Sequence, residues 1–337
     1  MTSASVVYIP PDLQSIMGTI DTYVRYKAKG NTRQYHKYHP STFGKCLRNM
    51  QYMKYVAMGL IDVEEEEFDS KILRLFEKGH NMHSRWESYF EGLGVLKGVW
   101  RCLNPLCSMF DDSGSLIQGT DVEQCYKTAT RKYGEQEKLG VFKPEKCICG
   151  CNKFAYEEVC VESEEMNMFG HVDLIVDFSN LDVSKFNGVP ISFDVKNLPK
   201  SPIVIDMKTI NDYRWKQQLM RTGASLEYRI QLCIYANLLD LDYGMLIYEN
   251  KNTSEARPFK IDKASDTMFD LIRKQAISMN EMANCEKPKL PPPRPSDKDD
   301  YECSNCSFKS LCHKSAIWKD EDSFNDKRKK FYGNLVK

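Results

Sequence analysis

Pro202-Ile203-Val204-Ile205-Asp206-Met207-Lys208 is a short apolar run that ends in Asp-x-Lys. Three β-compatible residues lead into the aspartate, so the run predicts a buried strand with its charged pair at the end. Side chains two apart point to the same side of a strand, which places Asp206 and Lys208 together. Upstream, Gly170-His171-Val172-Asp173 opens a second apolar strand over 170–178. Downstream, Gln231 and Tyr235 stand four apart on a predicted helix and share its face. Carboxylates at strand ends give a hard divalent cation rigid oxygen ligands. A neighbouring lysine can offset charge on a scissile phosphate and orient a water. The bland alternative is a buried salt bridge between Asp173 and Lys208. A second Asp-x-Lys, Asp194-Val195-Lys196, has only Ile191-Ser192-Phe193 ahead of it, so Asp206 is preferred.

Working outward, helical spacing appears over 11–28, 42–59, 68–92, 212–221, 225–239 and 264–284. Strand patterns appear over 154–162, 170–178, 202–206 and 243–249. This order predicts an α/β core with a central mixed sheet. The acidic run Glu64 to Glu67 reads as the solvated first turn of the third helix. Between 97 and 153 cysteines, glycines and charged residues dominate, which predicts an insertion with little core of its own. The expected divisions are an N-terminal helical part (1–96), a cysteine-rich insertion (97–153), a core (154–286), a proline-rich linker (287–300) and a C-terminal segment with a basic tail (301–337).

Composition narrows the setting. The chain has 337 residues, 42% of them hydrophobic and 28% charged, an ordinary globular balance that argues against global disorder or a collagen-like fold. No apolar run approaches the length of a transmembrane helix, and Met1–Ser5 lacks the basic and apolar regions of a secretory signal. A reducing, cytoplasmic setting is therefore expected, and the thirteen cysteines point to metal ligation rather than disulfides. Basic and acidic residues balance at 47 each, which neither supports nor excludes a nucleic-acid partner.

The cysteines fall into two sets. Cys102 and Cys107 form one knuckle, and Cys147, Cys149 and Cys151 the other, so a zinc-ribbon-like site would use Cys102, Cys107, Cys147 and either Cys149 or Cys151. A second cluster or unligated thiols are the alternatives there. Cys303, Cys306 and Cys312 supply three thiolates, and a distant cysteine must complete a four-thiolate centre. Cys125, Cys160, Cys233 and Cys285 read as spares.

Taken in order, Gly170–Asp173, Asp206–Lys208 and Gln231–Tyr235 resemble the PD-(D/E)XK nuclease superfamily, specifically its RecB-like branch. That branch carries Gly-x-x-Asp, Asp-x-Lys and Gln-x-x-x-Tyr, with an upstream Gly-x-x-x-His that Gly79–His83 matches. The resemblance implies a restriction-endonuclease-like core. It implies Mg²⁺ or Mn²⁺ held by His83, Asp173, Asp206 and the Met207 carbonyl, with Lys208 as the catalytic lysine and Gln231 and Tyr235 positioning DNA or the lysine. Glu87, one turn after His83, reads as a helix-stabilising partner. AddB-type nucleases, and the CRISPR-associated nucleases similar to them, carry one cysteine ahead of the core and three behind it on a 4Fe–4S cluster. By that resemblance Cys46 joins Cys303, Cys306 and Cys312.

The activity implied is DNA hydrolysis at single strands or ends, as an exonuclease of recombination, repair or replication, in a cell or a phage. Spacer trimming beside a CRISPR integrase, or DNA-end binding without catalysis, are the alternatives. No Gly-x-x-x-x-Gly-Lys-Ser/Thr loop occurs, so a helicase, recombinase or integrase would be a separate partner. Arg214, Lys216 and Arg221, near Trp215, are the expected DNA contacts. The Lys327–Lys330 tail beside Phe331 and Tyr332 could stack on single strands or be a solvated terminus.

Overall fold

The computed structural model describes residues 11–28, 36–61, 68–117, 131–285, 289–291, 301–304 and 306–314. The acidic run Glu64–Glu67, Cys125 and the basic tail beyond residue 314 lie outside the described residues.

The chain begins with α1 (Pro11–Ala28), α2 (Pro40–Phe43), α3 (Leu47–Ala57) and α4 (Ser70–Leu93). Asp69 caps α4 by accepting the Lys71 N–H, and Gly94 closes it in the left-handed conformation at φ 77°. Seven strands follow: β1 (Leu96–Cys102), β2 (Lys132–Tyr133), β3 (Val141–Phe142), β4 (Phe154–Glu157), β5 (Val159–Ser163), β6 (Met168–Val172) and β7 (Leu174–Val176). After β8 (Ile203–Ile210), a segment over Asp212–Thr222 leads to α5 (Leu226–Leu239), β9 (Tyr243–Asn250) and β10 (Ala256–Asp262). The described chain closes with α6 (Asp266–Asn284), α7 (Tyr301–Ser304) and α8 (Lys309–Lys314).

The main sheet runs β10-β9-β8-β7-β1-β2, with β3 and β4 also paired to β1. It is mixed: β8 and β9 are parallel, joined through α5, and the other pairs are antiparallel. Alternation along β8 divides the core in two. Ile203, Ile205 and Met207 pack with Met82 and Phe90 of α4. Val204 packs on the other face with Leu232, Ala236 and Leu239 of α5. A third cluster joins α2 and α3 to α6 through Phe43, Leu47, Met50, Ile272 and Met279.

Four expectations differ from what is observed. The segment 97–153 was expected to have little core, yet it supplies most of β1, which enters the central sheet and pairs Lys97 with Ile175. Its apolar residues explain this, and Trp100 is fully buried. The strand expected over 154–162 divides at Glu158, because β4 pairs with β1 while β5 pairs with β6. The strand expected over 170–178 breaks at Asp173. The expected helix over 212–221 contains a π turn, Trp215–Leu219, whose end residues are both buried in the α5-side core.

Candidate active site and thiol sites

The break at Asp173 puts a carboxylate where the β7–β8 ladder stops. The last pair is Leu174–Ile205, so the next backbone donor of β8, Met207 N–H, is left for a side chain. It donates to Asp173 Oδ2 at 3.1 Å. The His83 Nδ1 on α4 lies 3.5 Å from the same oxygen. Gly170 lets α2 and α5 pack closely on β6, because a Cβ there would lie 2.9 Å from Pro40 Cδ and 3.2 Å from the Tyr235 ring.

Asp206, one residue from Met207, faces the α5 side and is 1% exposed. Its Oδ1 accepts from Lys208 Nζ and from Gln231 Nε2, each at 2.9 Å. Its Oδ2 lies 2.7 Å from Lys208 Nζ but has no hydrogen bond of proper geometry. Burial pushes the Asp206 carboxyl up, to about 7, with the Lys208 charge opposing and the Asp173 charge adding to the rise. Burial alone would lower the Lys208 pKa, but Asp206 and Asp173 outweigh it and hold the ammonium protonated. That ammonium also lies 5.0 Å from the centre of the Tyr228 ring.

Gln231 and Tyr235 bond to the protein frame. Gln231 fixes Asp206, and the Tyr235 hydroxyl donates to the His171 carbonyl at 2.8 Å. Asp194-Val195-Lys196, in contrast, forms an exposed turn in which Asp194 accepts the Lys196 N–H at 3.0 Å. Glu87, one turn after His83 on α4, is partly buried. Burial, then the charges of Asp173 and Glu91, push its carboxyl up. The expected DNA contacts Arg214, Lys216 and Arg221 are all exposed, and Lys216 pairs with Asp212 at 2.7 Å.

The thiols of Cys102, Cys107, Cys147 and Cys149 lie within 4.8 Å of one another. The Cys151 sulfur stands outside that set, against the Lys153 backbone N–H at 3.4 Å. Asn104 supplies donors to the group: its N–H to Cys102 and its amide to Cys149, both at 3.4 Å. Burial pushes the Cys102 and Cys107 thiols up. Burial also opposes ionisation of Cys147, but the Tyr133 hydroxyl and neighbouring donors prevail and bring it down to about 6. A buried group with one thiol already favouring ionisation can hold a metal ion.

Of the other set, Cys46 caps α3, and Cys306 and Cys312 lie against the same helix, but the four sulfurs do not form a close group like that of Cys102, Cys107, Cys147 and Cys149. Asn49 donates its amide to Cys306 Sγ at 3.2 Å, and Arg48 Nη1 reaches Cys312 Sγ at 3.7 Å. Arg48 is 1% exposed and also donates to the Pro291 carbonyl at 2.7 Å. Phe308 stacks on Tyr52 at 5.0 Å, which brings the C-terminal segment onto the N-terminal helix. Cys303 is half-buried.

The sheet flanked by helices is consistent with a restriction-endonuclease-like fold. Residues 194–313 match the family model of the PD-(D/E)XK nuclease superfamily. The match takes in Asp206, Lys208, Gln231 and Tyr235, and it supports a nuclease. No curated protein matches the chain. A solved structure described as "Crystal structure of SSO0001" aligns at 14% identity with a TM-score of 0.39, over 88% of this chain and 95% of that one. So loose an overlap carries no argument. Among the described residues no helix is long and apolar enough to cross a membrane.

Proposed function

We propose that this protein is a Mg²⁺- or Mn²⁺-dependent DNA exonuclease acting on single strands or DNA ends, of the RecB- and AddB-like iron–sulfur branch. Three pairwise contacts where the β7–β8 ladder stops support this reading: His83 with Asp173, Asp173 with the Met207 N–H, and Asp206 with Lys208. The donor set suits a hard cation, since oxygen atoms dominate it. His83, Asp173, Asp206 and the Met207 carbonyl would hold the ion. When bound, it would polarise the phosphate and lower the pKa of an attacking water.

The remaining steps belong to the chain. Lys208 keeps its proton beside Asp206 and offers positive charge to the phosphate as its negative charge grows. Gln231 restrains Asp206 from the other side, so the carboxylate keeps one orientation. Tyr235 anchors β6 at the His171 carbonyl, two residues before Asp173. Arg214 and Arg221 would meet DNA phosphates, and Lys216 would do so on leaving Asp212.

The same reading gives Cys46, Cys303, Cys306 and Cys312 a 4Fe–4S cluster, supported by the Asn49 and Arg48 donors aimed at two of the sulfurs. It gives Cys102, Cys107, Cys147 and Cys149 a zinc ion, supported by their mutual approach. The work would be recombination, repair or replication in a reducing cytoplasm, with any motor or integrase a separate partner. Purified protein loaded with Mn²⁺ should degrade single-stranded DNA, and the Lys208→Ala variant should not. Equal rates in the two would overturn the mechanism.

A further inference from the structure

Tyr156 lies outside every motif used above. It sits on β4 opposite Trp100 of β1. Its ring lies against the β1 backbone at Gly98, where an added Cβ would stand 2.2 Å from Tyr156 Cε2. Trp100 meets the ring edge to face at 5.5 Å. Held in this way, the side chain reaches the start of β7, and its hydroxyl donates to the Asp173 carbonyl at 3.1 Å. Asp173 is the single residue between β6 and β7, past the last β5–β6 pair and short of the first β7–β8 pair. No ladder pair holds it in place.

The strands that carry Tyr156 are tied at their far end by the thiol group. Cys102 ends β1 and pairs with Phe154, two residues from the Trp100–Tyr156 pair. Phe154 meets Tyr133 edge to face at 5.9 Å, and the Tyr133 hydroxyl lies 3.2 Å from Cys147 Sγ. Cys102, Cys107, Cys147, Trp100, Leu174 and Met207 share one buried cluster. β4 is four residues long, so few other pairs fix its register. A slip of one residue would turn Tyr156 to the opposite face.

We infer that Tyr156 is a positioning residue for Asp173, and that the four-cysteine group, once metal-bound, holds the β1–β4 ladder in the register that keeps Tyr156 in place. This rests on the proposed role of Asp173 as a ligand of the catalytic cation.

The test is Mn²⁺ binding by titration calorimetry on the full chain, with zinc and iron contents measured in parallel. Tyr156→Phe keeps the ring and removes the hydroxyl. It should weaken Mn²⁺ binding roughly tenfold, the usual size of a lost outer-shell support, while both metal contents stay unchanged. The Mn²⁺ concentration for half-maximal cleavage should rise, with the rate at saturation largely kept. Cys149→Ser should weaken Mn²⁺ binding in the natural chain but add little in the Tyr156→Phe background, because both act through one bond. If Cys149→Ser does not fold, zinc-depleted protein supplies the same comparison. Equal Mn²⁺ affinity with and without the hydroxyl overturns the positioning role. Fully additive losses overturn its link to the thiol group. A natural chain that binds no Mn²⁺ overturns the cation reading instead.

Discussion

Gln231 donates its side-chain amide to Asp206 Oδ1 at 2.9 Å, on the oxygen that also takes the Lys208 ammonium. One buried carboxylate is thus gripped from a helix and from its own strand. Gln231→Leu should slow single-strand cleavage roughly tenfold at saturating Mn²⁺, since the lysine alone would then orient Asp206. Gln231→Glu should be worse, because it sets a second negative charge beside a buried one. Cleavage rates of the two variants, measured side by side, check the order.

The thiol group predicts a sharp difference between neighbouring cysteines. Cys107 is fully buried in the core cluster and belongs to the close set of four, whereas Cys151 stands apart. Cys107→Ser should abolish bound zinc and lower the unfolding temperature. Cys151→Ser should keep about one zinc per chain. Elemental analysis of both proteins decides the ligand set.

Asn49 and Cys306 make a second prediction about metal. Anaerobically purified protein should carry about four irons per chain, and Cys46→Ala should lose them. Asn49→Ala should retain the iron but lower the reduction potential, since it removes an N–H donor from Cys306 Sγ, a ligand on the proposed reading. Voltammetry of the intact variant reads that shift.

Lys54 predicts a pH dependence of stability. It is 4% exposed, with its ammonium 4.5 Å from the centre of the Tyr38 ring. Burial lowers its pKa from 10.5 to about 8. Between those values the unfolded chain binds more protons than the folded one, so this site's contribution to stability rises with pH across the window. Below about pH 8 the burial penalty is present in full. Lys54→Met should therefore raise the urea midpoint at pH 7 and flatten its rise towards pH 10.

The active strands were legible because β8 and β9 are short apolar runs, and chemistry at the end of such a run stands out. Asp206 could be told from Asp194 by the residues ahead of each. The first is buried in the sheet, and the second lies on an exposed turn. Lys97–Cys102 reads with the cysteine-rich composition that follows it, although its own apolar residues make it central. β10 has an exposed outer row, so it shows no apolar run. The π turn at Trp215–Leu219 leaves the i, i+4 spacing of its buried residues unchanged, and that spacing reads as α-helix. The division at Glu158 is a tertiary choice, since β1 and β6 compete for one extended stretch. Gln231 and Tyr235 were legible as a pair, but their bonds to Asp206 and His171 were not.

The contact between Tyr52 and Phe308 fixes an order of events during synthesis. Helix α3 leaves the ribosome long before the residues that cover it. Until then Tyr52 and Tyr55 have no lid, and Arg48 lacks its carbonyl partner at Pro291. This end of the molecule therefore cannot close until residues 291–308 have been made, because its contacts span most of the chain. A nascent chain arrested before Phe308 would display an aromatic surface to chaperones, and a stop codon there would remove the cover for good.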